Sequence, residues 1–185
     1  MTGALTINEI TKQLNTAKTE FNNFCVTLPD EQFFQYPPGK WSPAQQVKHL
    51  ITAAKNTRLA FRLPKFILRW YAGKPNRPSR SFDELVTKYE LKLQQGGMAS
   101  GPYIPKPILP EYGKKKLLDQ FSAEMNKLAA SIQKNWEELQ LDKYIAPHPL
   151  LGKITLRELG YFTIHHTHHH LSSIQAMTKI SSPVL

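Results

Sequence analysis

Four long stretches of this chain carry apolar residues at alternating three- and four-residue steps, and that spacing constrains the fold more than any other feature. In the first, Ile7, Ile10, Leu14, Ala17, Phe21, Phe24 and Leu28 form one seam from about Thr6 to Thr27, as an amphipathic helix requires. Pro29, then Pro37-Pro38-Gly39, end it and form a connector. The second stretch starts at Ser42, a capping residue, with Pro43 at the first helical position and Gln45 completing a capping box. It runs to about Leu63, where Pro64 interrupts it. The third spans about Lys114 to Leu139, with Leu118, Phe121, Met125, Leu128, Ile132 and Leu139 on its seam. The fourth opens on another capping box, Thr155-Leu156-Arg157-Glu158, and continues through Leu159, Phe162, Ile174, Met177 and Ile180. No strand pair or internal repeat is legible. The spacing predicts an all-α fold, a four-helix bundle with a long middle connection.

That connection, residues 64–113, is the least regular part of the chain. A short apolar run, Phe66 to Tyr71, precedes a Gly/Pro-rich basic loop. Ser81-Phe82-Asp83-Glu84 then starts an extra short helix that ends near Gln95. Gly96-Gly97 and the prolines at 102, 105, 107 and 110 exclude regular helix beyond it. Ordered excursions of this length usually shape or cover a functional opening. A chain of 185 residues suits one domain, 1–185, with a core large enough to need no staples.

Composition narrows the class of protein. The single cysteine, Cys25, excludes an internal disulfide framework and sits among Phe21, Phe24 and Leu28. A buried structural thiol in a reducing compartment is expected there. No apolar run is long enough to span a bilayer and no leader pattern opens the chain, so a soluble, cytoplasmic protein without a membrane partner is expected. The charge is strongly positive, 24 Lys and Arg against 14 Asp and Glu, which attracts anions generally. Lys65, Arg69, Lys74, Arg77 and Arg80 form one concentration and Lys114-Lys115-Lys116 another. No recognised nucleic-acid-binding motif accompanies them, and no specific nucleic-acid partner is expected.

The chemistry-bearing segment is Ile164-His165-His166-Thr167-His168-His169-His170-Leu171, which places five of the seven histidines in the fourth helix. At about 100° per residue, His166 and His170 fall about 20° on either side of the centre of the apolar stripe. His169 lies roughly 80° away, His165 about 120°, and His168 points to the opposite side. Two histidines at i and i+4 on one face are the first half of a metal site or a hydrogen-bonded polar layer in the core. Zinc takes three or four protein ligands, so a third must come from elsewhere. His49 and His148 are the candidates. His148 lies in Ala146-Pro147-His148-Pro149, a setting that favours exposure. His49 points roughly 145° from the apolar face of the second helix. Its neighbours Gln45, Gln46, Ala53, Asn56 and Ala60 are small or polar, which suits a cavity wall and a solvent face equally.

Two motifs bear on the choice. Pro38-Gly39-Lys40-Trp41-Ser42-Pro43-Ala44-Gln45-Gln46-Val47-Lys48-His49-Leu50 resembles the N-terminal signature of the DinB/YfiT-like superfamily, in which a tryptophan and a helix cap precede a His-Leu pair. His166-Thr167-His168-His169-His170-Leu171-Ser172-Ser173-Ile174 resembles its C-terminal signature, a His-x-x-His-His helix followed by isoleucine. The resemblance implies a bundle of atypical helix order and a divalent metal held by His49, His166 and His170. His169 matches a histidine frequent beside the last ligand. With Gln46, beside His49 on its helix, it is a candidate to support a ligand ring or to line the pocket.

Three neutral imidazoles would leave a metal its full double charge and an open position, which lowers the pKa of a bound water or thiol. Zinc leads on ligand type, while nickel, cobalt, copper or iron suit the same donors. The superfamily includes S-transferases and isomerases that use low-molecular-weight thiols, beside members of no assigned activity. The expected function is therefore a metal-dependent transferase acting on a small-molecule substrate with a thiol. A metal-dependent hydrolase, or a non-catalytic metal-binding or stress-response interaction protein, are the alternatives. No general base is evident in the sequence, so no catalytic residue beyond the ligands is assigned. Trp41 is expected to pack at the helix entry. Trp70-Tyr71 and Tyr103 either line the pocket mouth or anchor the connection. Ile164 and Leu171, opposite the main stripe, require cover from the connection or from a second copy, which makes a homodimer an expectation.

Overall fold

The computed structural model describes residues 4–35 and 38–180, the side chains of 179 and 180 excepted. Pro37 of the connector and the Ile180 side chain of the fourth stripe lie outside the described residues. Among those described are seven α-helices, three short 3-10 turns and one hairpin. The fold is mostly helical.

The long helices are α1 (Ile7–Thr27), α3 (Pro43–Arg62), α6 (Lys114–Asn135) and α7 (Leu156–Ile180), with a short α2 (Asp30–Phe34) in the first connector. Their starts follow the capping chemistry of the sequence. Thr6 with Glu9 and Ser42 with Gln45 form reciprocal boxes at α1 and α3. At α7 the Glu158 N–H donates to Thr155 Oγ1 and the Thr155 N–H donates to the Glu158 carboxylate. α3 packs on α6 and α7, and α1 packs on the same two helices. The core between them is apolar: Leu14, Phe21, Val47, Ile51, Phe121, Leu128, Leu156 and Ile174 are all buried. Where α1 meets α7 the helices come close, because Gly160 has no Cβ. A methyl group there would stand 3.0 Å from Ile10 Cγ2. Cys25 is buried and its thiol is pushed up to about 12 by burial, which makes it a core group without nucleophilic character at neutral pH.

Three expectations are corrected. The third helix ends at Asn135, not near Leu139. Trp136 turns to an extended conformation and its indole N–H donates to the Phe61 carbonyl at 2.8 Å, so the chain leaves the helix to close a contact with α3. Leu139 is then 73% exposed in a 3-10 turn. Secondly, a strand pair exists: β1 (Ile145–His148) and β2 (Gly152–Thr155) form an antiparallel hairpin with Ile145 opposite Thr155. It feeds directly into α7. Thirdly, the connection carries two helices where one is expected: the apolar run after Pro64 forms α4 (Lys65–Ala72), followed by the expected α5 (Phe82–Gln94).

The connection carrying α4 and α5 is tied to the start of α7 by a buried carboxylate. Glu158 accepts from both terminal nitrogens of Arg77 at 2.7 and 2.9 Å. It also accepts from the Arg80 N–H at 2.8 Å and the Arg80 guanidinium at 3.2 Å. Burial raises the pKa of this carboxyl, and its hydrogen bonds more than offset that, leaving it below the ordinary value. Lys65 and Arg69 lie over the rings of Trp136 and Tyr144. Four of the five residues in the first basic concentration therefore have partners within the chain. Ile164 is buried inside the chain and Leu171 is half-buried, so Ile164 needs no second copy to cover it. No helix among the described residues is long and apolar enough to cross a membrane.

Candidate metal centre

His49 from α3 and His166 and His170 from α7 meet at one point. His166 Nε2 lies 3.0 Å from His49 Nε2 and 3.1 Å from His170 Nε2. All three side chains are buried. The two histidines that periodicity selects on α7 face inward as the angular count requires. His49 faces them because α3 is buried on two sides. Val47, Leu50, Ile51 and Phe61 are packed in the apolar core, and Gln45, Gln46, His49 and Ala53 are buried as well. The polar side that sequence leaves ambiguous is the wall of a cavity.

Hydrogen bonds at the far nitrogens orient two of the rings. His49 Nδ1–H donates to the Tyr103 carbonyl at 2.7 Å; a carbonyl only accepts, so the proton sits on Nδ1 and Nε2 keeps its lone pair. His170 Nδ1 meets Gln46 Oε1 at 2.8 Å, with the same consequence. The Gln46 amide nitrogen is turned the other way, toward the Trp41 carbonyl and Met177 Sδ. Burial holds His166 and His170 well below the ordinary imidazole range. His49 is lowered by burial, with its bond to Tyr103 acting in the opposite sense. His49 and His170 thus turn their Nε2 lone pairs toward His166 Nε2 across about 3 Å. A cation at the centre, or the Nε2–H of His166 itself, satisfies lone pairs so placed.

The donor set fits a divalent ion. Two imidazole nitrogens on one tetrahedral zinc, each about 2.0–2.1 Å from it, stand roughly 3.3–3.4 Å apart. The observed separations are only slightly shorter. Among the described residues these three form the group whose ligand atoms lie within 4.8 Å of one another. Bonds from His49 and His170 to a carbonyl and an amide oxygen are the outer partners that metal-binding histidines usually have.

The cluster stands at the wall of a cavity of about 680 Å³. Trp41 is part of that wall as well as of the helix entry. Its ring centroid is 5.1 Å from that of His49 and 6.5 Å from that of His170, nearly parallel to the latter. The middle connection supplies Leu68, Tyr71, Tyr89, Leu93, Met98, Tyr103 and Ile104, so its irregular path does line the opening. Trp70 is 86% exposed and is not among the lining residues. Gln45 Nε2 donates to the Pro105 carbonyl and fastens this segment to α3. His169 lines the cavity, with Tyr89 6.1 Å away. His165 and His168 turn away toward Glu90 and Glu20.

His148 corrects the sequence reading. It is not an exposed loop residue: it lines the cavity, and its Nδ1 accepts from the Leu150 and Leu151 N–H groups at 3.2 and 3.1 Å. Burial pushes its pKa down to about 4. Tyr89 was also missed. Its ring packs on Phe162 and approaches His166, and burial raises its hydroxyl to about 12. Its place in the α5 periodicity marks it as buried but says nothing of a cavity.

No curated protein matches the sequence. The sequence pattern of the DinB superfamily matches residues 13–174, a span that contains both histidine-bearing helices and the connection between them. With the three histidines convergent inside that span, the chain belongs to the DinB superfamily.

Proposed function

We propose that this protein is a metal-dependent enzyme in which His49, His166 and His170 hold a divalent ion, zinc foremost, that activates a small thiol for attack on an electrophile. The observation that carries the reading is three Nε2 atoms converging on the wall of an apolar cavity. The reading takes α1, α3, α6 and α7 as the four-helix bundle of the superfamily, with α4 and α5 added over the cavity.

A divalent ion so held would supply a nucleophile near neutral pH by lowering the pKa of a thiol or water at its open position. The chain's own residues do the rest. Tyr103 and Gln46 keep the imidazoles of His49 and His170 in the tautomer that presents Nε2. Trp41, Tyr89 and Phe162 exclude water around the centre, which strengthens any charge interaction inside it. Among the described residues, no Asp, Glu, Lys or Arg lines the cavity. An ion-bound thiol and an ion-bound water would both ionise through the lowered pKa, so the missing carboxylate does not separate them. The apolar lining suits the hydrocarbon part of a small thiol, and on that ground thiol transfer is preferred to hydrolysis.

Metal analysis of protein prepared without nickel chromatography tests the first half of the reading. Stoichiometric divalent metal is expected in the wild type and its loss in His166→Ala. A screen of small thiols against electrophiles, with the same variant as control, tests the second. A wild-type protein that neither carries nor takes up zinc, nickel, cobalt, copper or iron would end the reading. Metal without any turnover would leave a binding protein.

A further inference from the structure

The cavity walls bear on what enters. Beside the histidines they are mostly aromatic and aliphatic, Trp41, Tyr89, Phe162 and Leu68 among them, with Asn56, Thr57 and Ser100 as neutral polar groups, and no charged residue lines them among those described. The volume, about 680 Å³, falls in the ordinary range for small-molecule sites. An ionic group entering this space would lose its hydration with no opposite charge from the protein to meet it, and that cost is large. The overall positive charge of the chain does not extend into the cavity.

One polar group on the wall has its role set by its own bonds. His148 Nδ1 accepts two backbone N–H groups, those of Leu150 and Leu151, so Nδ1 carries no proton. Protonating it would set three N–H groups against each other. The ring is therefore neutral with its hydrogen on Nε2, and it can only donate. No partner for Nε2 is found among the described residues, nor is that atom among the buried unpaired ones. Asn56 and the Tyr89 hydroxyl can turn to donate or accept, whereas the Trp41 indole N–H, like the Nε2–H of His148, only donates. The Phe162 ring touches both His148, at 4.1 Å between centroids, and His166, at 4.8 Å. The fixed donor is thus one ring away from the three-histidine cluster.

We propose that the cavity binds an uncharged, largely apolar molecule carrying one carbonyl-type acceptor, and that the Nε2–H of His148 is the specificity-determining donor for that acceptor. In the metal-dependent reading, on which the assignment of this cavity as a substrate site rests, such a molecule is the electrophile. The binding step itself uses only the chain's own groups and is measurable on metal-free protein.

Three molecules of one shape separate the contributions: acetophenone, ethylbenzene, which lacks the acceptor, and benzoate, which is anionic. Binding is measured on chelator-stripped protein by ligand-observed NMR and Trp fluorescence. Acetophenone should bind about tenfold more tightly than benzoate, and about three- to tenfold more tightly than ethylbenzene, the worth of one neutral hydrogen bond. In His148→Asn the side-chain oxygen can take the place of Nδ1 and keep the turn, as Asn does in Asx turns, while the ring N–H is lost. The preference for acetophenone over ethylbenzene should then fall to near unity, with ethylbenzene binding unchanged. Should that variant misfold, the imidazole Nε2–H resonance of the wild-type protein provides the second measurement and should shift on titration with acetophenone. Benzoate binding as tightly as acetophenone, no binding of acetophenone at millimolar concentration, a preference that survives in His148→Asn, or an unmoved imidazole resonance would each overturn the proposal. None of these results depends on metal content, so a protein that binds metal but fails here rejects this inference alone. A metal-free protein that behaves as described rejects only the metal reading.

Discussion

Gln46 is a small residue change away from altering the proposed centre. Its Oε1 meets His170 Nδ1 at 2.8 Å and so decides which nitrogen of that ring faces His166. Gln46→Leu should keep the fold and lower metal affinity by about 10- to 100-fold, the usual effect of losing an outer partner. Gln46→Glu, with a stronger acceptor, should retain or raise it. Competition with a chromophoric chelator reads both, and equal affinity in all three proteins would remove the role assigned to Gln46. At this scale the fourth helix was legible and the second was not. His166 and His170 sit at the centre of a continuous apolar stripe, so one angular count orients them. His49 sits on a polar side, and a cavity wall and a solvent face have the same composition. The resemblance between the Trp41–Leu50 segment and a known signature pointed to His49, and no periodicity did. His148 misled because flanking prolines usually mark exposed loops, whereas here they shape a hairpin that turns the ring inward.

Among the elements, α7 depends most on a contact that sequence separates widely. Its capping residue Glu158 is also the ion-pair partner of Arg77 and Arg80 in the middle connection. Glu158→Ala removes a cap and leaves two guanidiniums unpaired. Both guanidiniums are roughly a quarter exposed (29% and 22%) and regain some water, which places the loss near the low end for a buried pair, about 3 kcal/mol. Urea unfolding should show a lower midpoint at unchanged m-value; a midpoint equal to that of the wild type would mean that the connection is held by other contacts. The capping boxes made the starts of α3, α5 and α7 readable, since each is a local arrangement of four residues, while the apolar seam alone placed α1. The end of α6 was not. Leu139 continues the heptad-like spacing from Ile132, but the Trp136 contact with Phe61 stops the helix first, and that contact is 75 residues away in sequence. The hairpin was equally hidden. Four-residue strands with Pro147 in one of them give too little alternation to distinguish from a loop.

For the molecule as a whole, the three histidines join α3 to α7 across a separation of more than one hundred residues. An ion held there would add a link between two helices that otherwise meet through side-chain packing and side-chain hydrogen bonds such as Gln46–His170, and would bind the folded state alone. Metal at a hundredfold excess over Kd should therefore raise stability by about 2.7 kcal/mol. The melting temperature of stripped protein should climb on adding zinc, and the rise should vanish in His166→Ala. A rise that persists in that variant would place the binding elsewhere. The four long helices, where three of them start and the inward pair on α7 are properties of short windows, set by a period of 3.6 and by cap chemistry, and they stand in the amino-acid order alone. Which side of α3 faces a cavity, which basic residues are spent on Glu158 and aromatic rings, and where His148 points depend on groups brought together from distant parts of the chain. No local pattern encodes them, because their energies arise only when the helices have packed.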